Sequence, residues 1–247
     1  MNKTEPTLEC ADFTAAFVRI LTENGLAEFA TEALADRFFA LTERLLRVNA
    51  VMNLTAITDP HEIILKHYAD SLRAAKYLPH GAKVADVGCG AGFPTLPLAV
   101  ARPDLAITAI DSTDKRIVFV RETAALLGLD NVTAVTARAE DVGAGELRGK
   151  YDCVTARAVA ALPVLIEICA PLLKVGGYFF AMKGKNADAE LASSERAARE
   201  LGLTLADSVR YELPEDSGSR AIFVYRKTSP TPARYPREYR KIVKAPL

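Results

Sequence analysis

The chain has 247 residues, half of them hydrophobic and a quarter charged, which is typical of a soluble globular protein with one large domain or one domain and an extension. Its formal net charge is zero, so no global field attracts nucleic acid, and a site for a polyanion has to come from local clustering. No apolar run reaches the ~18 residues of a membrane span, and the four cysteines lack metal-ligand spacing, so we expect a reduced, cytoplasmic protein without a metal.

The first third of the chain is predicted to be helical. Apolar residues recur at helical spacing in residues 8–25 and again in residues 31–48. A loop rich in capping residues follows, and Pro60 suits the first turn of a third helix that runs to about Leu78. Because this part has no glycine-rich loop of its own, we predict that residues 1–80 form an extension packed on the main domain.

Beyond this extension, strands and helices alternate, which indicates an α/β fold with a mostly parallel sheet. We assign residues 81–227 to this main domain and expect an antiparallel hairpin, 203–213 with 220–226, to close it. The other predicted strands are 83–87, 106–110, 132–136, 151–155 and 178–182. The predicted helices between the strands are 94–101, 115–127, 162–173 and 188–201.

The last residues, 228–247, form a basic tail rich in proline. Its five basic residues oppose one acid, Glu238, and Tyr235 and Tyr239 lie between them. Two interpretations stay open here. One is a solvated, poorly ordered tail, and the other is a basic arm whose aromatic rings stack on single-stranded nucleic acid.

The most informative stretch joins the first strand to its helix. Three glycines at alternate positions, Gly88, Gly90 and Gly92, follow an apolar run that contains Asp86. Such glycines let the backbone approach a ligand, and the N–H groups of the following helix point at it. The spacing differs from the Gly-x-Gly-x-x-Gly of dinucleotide binders, and no Gly-Lys-Ser/Thr of a P-loop follows. We interpret the loop as a site for a nucleoside-bearing cofactor, with a turn that merely needs sharp geometry as the alternative.

Two acids lie where such a cofactor would need them. Asp111 ends the second strand about 20 residues after the glycines, where a carboxylate accepts hydrogen bonds from ribose hydroxyls. Asp86 lies inside the first strand, and a buried acid is costly unless it is hydrogen-bonded. It would either orient the loop backbone or hold a cationic group of the ligand.

Seven segments in one order resemble the RsmG (GidB) family, bacterial methyltransferases that act on the N7 of a guanine in small-subunit ribosomal RNA. They are 53–58 (NLTAIT), 66–72 (KHYADSL), 86–94 (DVGCGAGFP), 111–116 (DSTDKR), 138–140 (RAE), 155–159 (TARAV) and 182–184 (MKG). The tail segments 234–237 (RYPR) and 244–247 (KAPL) also resemble the family, but residues 238–243 lack the Pro-Gly step of many members.

This resemblance implies a Rossmann-like S-adenosylmethionine-dependent methyltransferase fold. It also implies S-adenosylmethionine as cofactor and 16S ribosomal RNA or the 30S subunit as partner, with no membrane and no protein partner. The residues that it assigns to the cofactor are Asp86, Gly88, Gly90, Gly92, Phe93, Asp111, Ser112, Thr113, Ala139, Glu140 and Arg157. Without the resemblance, Phe93 could equally be a core residue, Glu140 a surface charge and Arg157 the partner of a nearby acid.

Arg157, just after the fourth strand, is the catalytic candidate. Guanine N7 carries a lone pair and no proton, so its methylation needs positioning rather than a general base. The sequence fits this chemistry, because neither the Asn/Asp-Pro-Pro-aromatic motif that holds an amine nor the Pro-Cys loop of covalent attack is present. Arginine reads the O6/N7 edge of guanine. Because N7 has to stay free, we expect Arg157 to bind O6 or a phosphate.

A basic rim around the site is the predicted RNA surface. Its members are His67, Lys115, Arg116, Arg138, Lys183, Lys185, Arg234 and Arg237. His67 and Asp70 share one face of a helix, and a surface ion pair between them is the alternative. We predict an RNA affinity that falls steeply with salt.

Two other classes of function stay open. A nicotinamide-dependent oxidoreductase would use the glycine turn and Asp111. However, the sequence lacks the glycine at the sixth position of that motif and an obvious substrate domain with a catalytic Tyr-Lys pair or histidine. A non-catalytic nucleoside- or RNA-binding module would keep the fold. It is disfavoured because Gly88, Asp111, Glu140 and Arg157 occur together.

Overall fold

A seven-stranded sheet forms the centre of the computed structural model, which describes residues 9–215 and 217–247. The strands are β1 Lys83–Val87, β2 Ala106–Asp111, β3 Val132–Thr136, β4 Tyr151–Arg157, β5 Leu173–Lys183, β6 Leu203–Leu213 and β7 Gly218–Lys227. Their order in the sheet is β3-β2-β1-β4-β5-β7-β6, and β7 runs antiparallel to both of its neighbours. The predicted α/β class and closing hairpin are therefore confirmed.

Ten α-helices surround this sheet in the described residues. They are α1 Cys10–Glu23, α2 Glu32–Met52, α3 Pro60–Ile63, α4 Asp70–Ala75, α5 Thr95–Ala101, α6 Asp114–Leu126, α7 Ala139–Ala144, α8 Leu162–Cys169, α9 Ala187–Glu200 and α10 Tyr239–Lys244. A π-helical segment, Ile64–Ala69, joins α3 to α4, so residues 60–75 form one continuous helix. Across residues 9–215 and 217–247, none of the helices combines the length and hydropathy that crossing a membrane requires.

Side-chain caps begin two helices near the N-terminus. Thr31 accepts a hydrogen bond from the N–H of Leu34 at the start of α2, and Asp59 accepts one from the N–H of Glu62 at the start of α3. Each cap satisfies a backbone donor that has no partner within the helix, which stabilises it by about 1 kcal/mol.

The core consists of two layers, one on each face of the sheet. Successive strand residues point to opposite faces, so Val84 packs against the layer of α1 to α6 while Ala85 packs against the layer of α7 to α10. Because helices cover both faces, the inner strands are apolar along most of their length. Residues 9–80 join the first layer, where Arg102 donates hydrogen bonds to the carbonyls of Ala75 and Leu78. The boundaries at residues 80 and 227 stay predictions.

The strand order sets the place of a ligand site. The chain leaves β1 on one side toward β2 and β3, then crosses back to β4 on the other side. Ligands of open α/β sheets bind outside the carboxyl ends of the strands at such a switch point. The site is therefore expected above β1 and β4, where Asp86 and Thr155 are paired in register.

Two helices, α7 and α10, were not predicted. Helix α10 lies within the predicted basic tail. Residues 228–247, here called the C-terminal segment, pack on α8 and α9. Tyr235 and Ile242 are buried, and the Tyr235 hydroxyl donates a hydrogen bond to Glu200. The interpretation as a solvated, poorly ordered tail is therefore wrong.

Candidate active site

The glycine loop and Asp111 form one hydrogen-bonded unit at the end of β1 and β2. The N–H of Gly90 donates to Oδ2 of Asp111 over 3.0 Å, and the N–H of Thr113 donates to its Oδ1 over 2.8 Å. The N–H groups of Gly88 and Cys89 both donate to the carbonyl of Ile110. Each oxygen of the Asp111 carboxylate keeps a further lone pair, which suits the two hydroxyls of a ribose.

Asp86 organises this loop from below. It is fully buried, and it accepts hydrogen bonds from the N–H and Oγ1 of Thr95 (3.2 and 2.6 Å) and from Oγ1 of Thr155 (3.1 Å). Burial raises the pKa of the Asp86 carboxyl to about 6, although these hydrogen bonds and Arg157 act in the opposite direction. Of the two functions predicted for Asp86, the structure supports the orientation of the loop and not contact with a ligand.

Gly88 and Gly92 are both required in this loop, but for different neighbours. Both adopt positive φ, +73° and +85°. A Cβ at Gly88 would lie 2.5 Å from Cγ2 of Val159, whereas a Cβ at Gly92 would lie 2.5 Å from Cδ1 of Leu96 in the core. Gly92 therefore permits close packing in the core, and its function as a cofactor contact stays a prediction.

Two cavities meet above Gly88. The first cavity, of about 650 Å³, lies among the N-terminal helices, the glycine loop and the ends of β4, β5 and β7. Predicted residues that line it are His67, Gly88, Gly90, Phe93, Arg116, Arg157, Lys183 and Lys185. The second cavity, of about 240 Å³, lies between the ends of β2 and β3 and the C-terminal segment. Predicted residues that line it are Gly88, Asp111, Ser112, Thr113, Arg116, Arg138, Ala139 and Glu140.

Ala158 separates the two cavities together with Gly88 and Arg116. It has φ +56°, a left-handed conformation that is uncommon for a residue with a Cβ. Such strain is often found at functional sites, where the surrounding structure holds the backbone in place. Here it ends β4 directly after Arg157 and turns the chain along the rim of both cavities.

Arg157 is held by the continuous helix of residues 60–75. Its Nη1 donates to Oδ2 of Asp70 over 2.8 Å and to the carbonyl of Lys66 over 3.1 Å. Its Nη2 donates to Nδ1 of His67 over 3.2 Å, and its Cζ lies 5.4 Å from the centroid of the Phe93 ring. The predicted alternative of an ion pair with a nearby acid is thus observed, with Asp70 as the acid.

His67 is a buried, neutral imidazole rather than a surface cation. Its ring is stacked on Phe93 with centroids 4.3 Å apart. Burial and the neighbouring Arg157 lower the pKa of His67 to about 3. Because Nδ1 accepts from Arg157, the ring proton lies on Nε2, which is 3.0 Å from Oγ1 of Thr55. Both ring nitrogens of His67 are used within the protein, and its function as an RNA contact stays a prediction.

Asp70 joins three parts of the chain at the edge of the first cavity. Besides Arg157, it accepts a hydrogen bond from the hydroxyl of Tyr211 over 2.7 Å and lies 3.8 Å from Nε of Arg220. The buried carboxylate thus has partners in β4, β6 and β7. Neither Tyr211 nor Arg220 was predicted, because no pattern in the sequence connects the hairpin to the N-terminal helices.

Several predicted RNA contacts are engaged elsewhere or lie outside both cavities. Nζ of Lys183 donates to the carbonyl of Ala160 and lies 2.6 Å from Glu190. The Arg237 guanidinium is bound by the fully buried carboxylate of Glu167 over 2.8 and 2.6 Å, and its function as an RNA contact stays a prediction. Arg234 pairs with Glu200. The predicted residues that line neither cavity are Asp86, Gly92, Lys115, Arg234 and Arg237.

No group of three or more His, Cys, Asp or Glu side chains is placed to hold a metal ion within the described ranges. Cys89, Cys153 and Cys169 are buried thiols, and burial raises the pKa of each. A thiol with a raised pKa is a poor nucleophile at neutral pH.

Comparison with known proteins identifies relatives that match most of the chain. A family model described as rRNA small subunit methyltransferase G (GidB) matches residues 35–211. A Deinococcus radiodurans protein named Ribosomal RNA small subunit methyltransferase G is 50% identical over 205 residues, 82% of this chain and 81% of that protein. A Staphylococcus saprophyticus protein of the same name is 45% identical over 214 residues, 86% of this chain and 90% of that protein.

Solved structures resemble the chain at lower identity. The tRNA methyltransferase TrmK of B. subtilis matches with a TM-score of 0.54 and 19% identity, over 67% of this chain and 68% of that chain. TYW2 of M. jannaschii, solved in complex with AdoMet, matches with a TM-score of 0.52 and 20% identity, over 63% and 72%. At these identities the solved structures establish the fold.

Proposed function

The chain belongs to the rRNA small subunit methyltransferase G family, and from this premise we propose that it methylates N7 of a guanine in 16S ribosomal RNA, with S-adenosylmethionine as the methyl donor. One observation supports N7 as the acceptor atom. Every carboxylate and imidazole that lines the first cavity among the described residues is already bound to a cation or a hydroxyl.

Among the described residues, these engaged groups leave the first cavity without a free carboxylate or imidazole to act as a general base. Asp70 is bound by Arg157, Glu190 is bound by Lys183, and the neutral His67 uses both ring nitrogens. An acceptor that loses a proton would need a base within hydrogen-bond reach. Guanine N7 has its own lone pair and loses no proton, so it matches a cavity of this composition.

The second cavity and the glycine loop fit an adenosine. The missing Cβ at Gly88 lets the side chain of Val159, which lines the second cavity, pack against the loop, and Asp111 keeps two acceptor positions for a ribose. We assign Ser112, Thr113, Ala139 and Glu140 to the same cavity wall. The bound donor supplies a methyl group on a positively charged sulfur, which is the electrophile of the reaction.

Arg157 is assigned to the substrate base. Its guanidinium has five N–H donors, of which three are used for Lys66, His67 and Asp70. The remaining donors are available for O6 of the guanine or for a phosphate. Because the helix of residues 60–75 fixes the side chain, it positions the base without requiring a proton transfer.

The test is an assay with methyl-labelled S-adenosylmethionine and two substrates, free 16S ribosomal RNA and 30S subunits. We expect label in 7-methylguanine at one position of at least one substrate, located by nuclease digestion and chromatography. Label in an exocyclic amine or a pyrimidine carbon would contradict the N7 assignment. Cofactor binding without transfer to either substrate would favour a non-catalytic module, and binding of NAD(H) instead would favour an oxidoreductase.

A further inference from the structure

The C-terminal segment supplies one wall of the second cavity. Tyr239, the first residue of α10, lines this cavity together with Ile168 of α8 and the side chains beyond β2 and β3. The Tyr239 ring is half-buried, and Cζ of Arg138 lies 5.8 Å from its centroid. Tyr239 therefore lines the same cavity as Asp111, the residue suited to a ribose.

Buried ion pairing fixes the position of this ring. Glu167 of α8 is fully buried and binds the guanidinium of Arg237 through both carboxylate oxygens, and it also accepts the N–H of Arg237 over 3.0 Å. Ile242 of α10 is fully buried as well. Tyr239 lies between these two anchors, so its ring belongs to a packed wall.

A second arginine holds the chain that leads into α10. Arg148 donates hydrogen bonds to the carbonyls of Tyr235 (2.7 Å), Thr231 (2.8 Å) and Gly143 (3.0 Å). The C-terminal segment is thus tied to α7 as well as to α8. Since α7 carries Ala139 and Glu140, both walls of the second cavity are connected.

We infer that the ring of Tyr239 packs against the adenine of bound S-adenosylmethionine, so that the C-terminal segment is part of the cofactor site. This inference rests on the proposed function. The residues that line the second cavity support an adenine as the ligand. The ring of Tyr239 and the apolar Ile168 suit the face of a purine, and the Glu140 carboxylate suits an exocyclic amine.

The first experiment uses the absence of tryptophan from the chain. Tyr239→Trp introduces a single indole at the proposed contact, and we expect its fluorescence to change on addition of S-adenosylmethionine or 5′-methylthioadenosine, but not of methionine. Tyr77→Trp is the matched control, because Tyr77 is partly exposed and lines neither cavity. A silent indole at position 239, with cofactor still bound by calorimetry, would overturn the inference.

The second experiment measures cofactor affinity by calorimetry. We expect Tyr239→Ala to weaken binding of S-adenosylmethionine about tenfold, and Tyr239→Phe to keep the wild-type affinity, with little change in thermal stability. If the wild-type protein binds no S-adenosylmethionine, the proposed function fails. If the wild-type protein binds it and Tyr239→Ala binds it equally well, only the assignment of Tyr239 fails.

Discussion

Arg157 connects the two halves of the chain at the scale of a single residue. Its partner Asp70 lies 87 positions earlier in the sequence, and both side chains are largely buried. Removing one partner of such a pair is costly because the other charge stays buried. Arg157 therefore contributes to structure as well as to the proposed chemistry, and a test has to separate the two.

Substitution of Arg157 by lysine keeps the charge but removes the forked donors. We expect Arg157→Lys to lower kcat about 100-fold, because a small displacement of a reacting group costs this much, with a smaller effect on KM for the RNA. Steady-state kinetics and thermal unfolding are the measurements. Arg210→Lys, at an exposed pair with Asp188, is the control. Unchanged turnover would remove Arg157 from the mechanism.

Gly88 and Gly81 form a matched pair of glycines with positive φ. A Cβ at Gly88 would collide with Val159, which lines the second cavity, whereas a Cβ at Gly81 meets nothing within 4 Å. Both alanine variants should lose about 1–2 kcal/mol of stability from backbone strain. Only Gly88→Ala should weaken S-adenosylmethionine binding, and Val159→Ala should partly restore it. Equal affinities of the two variants would show that Gly88 has no special function.

The lowered pKa of His67 makes stability depend on pH. Below about pH 6.5 the unfolded state binds a proton that the folded state, with its pKa of about 3, does not. The free energy of unfolding of the wild type, minus that of His67→Gln, should thus fall by about 1.4 kcal/mol per pH unit as the pH decreases from 6.5 toward 3. Above pH 6.5 it should be constant.

Urea unfolding at several pH values measures this difference. The raised pKa of Asp86 produces the opposite slope, because its folded form binds a proton up to about pH 6, but it contributes equally to both proteins. A constant difference for His67→Gln would mean that its imidazole is protonated in the folded state.

At the scale of elements, α10 shows how a basic, proline-rich sequence becomes an ordered wall. The segment cannot bury much apolar surface by itself, and its order comes from polar anchors on α8 and α9. Lys227 illustrates this: its Nζ donates to the carbonyl of Leu201 and contacts Thr231, and burial lowers its pKa to about 8. The end of α9 is thereby joined to the start of the C-terminal segment.

Breaking the anchor at Glu167 should release the C-terminal segment. Glu167→Gln leaves Arg237 without its charge partner, and loss of a buried pair costs about 3–5 kcal/mol. We expect trypsin to cleave among residues 234–244 at least about ten times faster than in the wild type. Glu238→Gln, which disrupts only the exposed pair with Lys241, should leave the rate unchanged. Equal rates for the two variants would contradict the anchoring function of Glu167.

At the scale of the whole molecule, a neutral chain is expected to bind a polyanion through a local patch. Arg116, Arg138 and Lys185 line the cavities and have accessible side chains, although Nη1 of Arg116 also lies 3.7 Å from Oδ2 of Asp111. Lys183 and Arg237 are held more closely, each at 2.6 Å from a buried or half-buried acid. The basic rim is therefore smaller than the sequence predicts. Its electrostatic contribution should correspond to a few phosphates.

Salt dependence measures the size of this rim. Three phosphate contacts on single-stranded RNA predict an affinity that falls roughly 20-fold between about 50 and 200 mM salt. Lys185→Gln should reduce the slope of log K against log salt by about 0.7. Lys174→Gln, at the opposite end of β5, should not change it. An affinity that stays flat over this range would contradict the RNA-binding rim.

The sequence by itself determined the family, the order of the strands along the chain, most of the helices between them, and the loop around Gly88. These features depend on short-range patterns, since side-chain periodicity and the conformations open to glycine act within a few residues. The family membership and the α/β fold predicted in this way are confirmed.

Only the tertiary structure decided which polar groups remain free. Arg157 with Asp70 and Arg237 with Glu167 are separated by 87 and 70 positions, so no local pattern shows that these charges are paired. The neutral state of His67 depends on its burial beside Arg157. Sequence periodicity indicates burial for apolar residues, but it does not indicate whether a histidine is buried. The position of Tyr239 could not be predicted from the sequence for the same reason. Its ring reaches the second cavity only because buried partners on other elements fix the C-terminal segment.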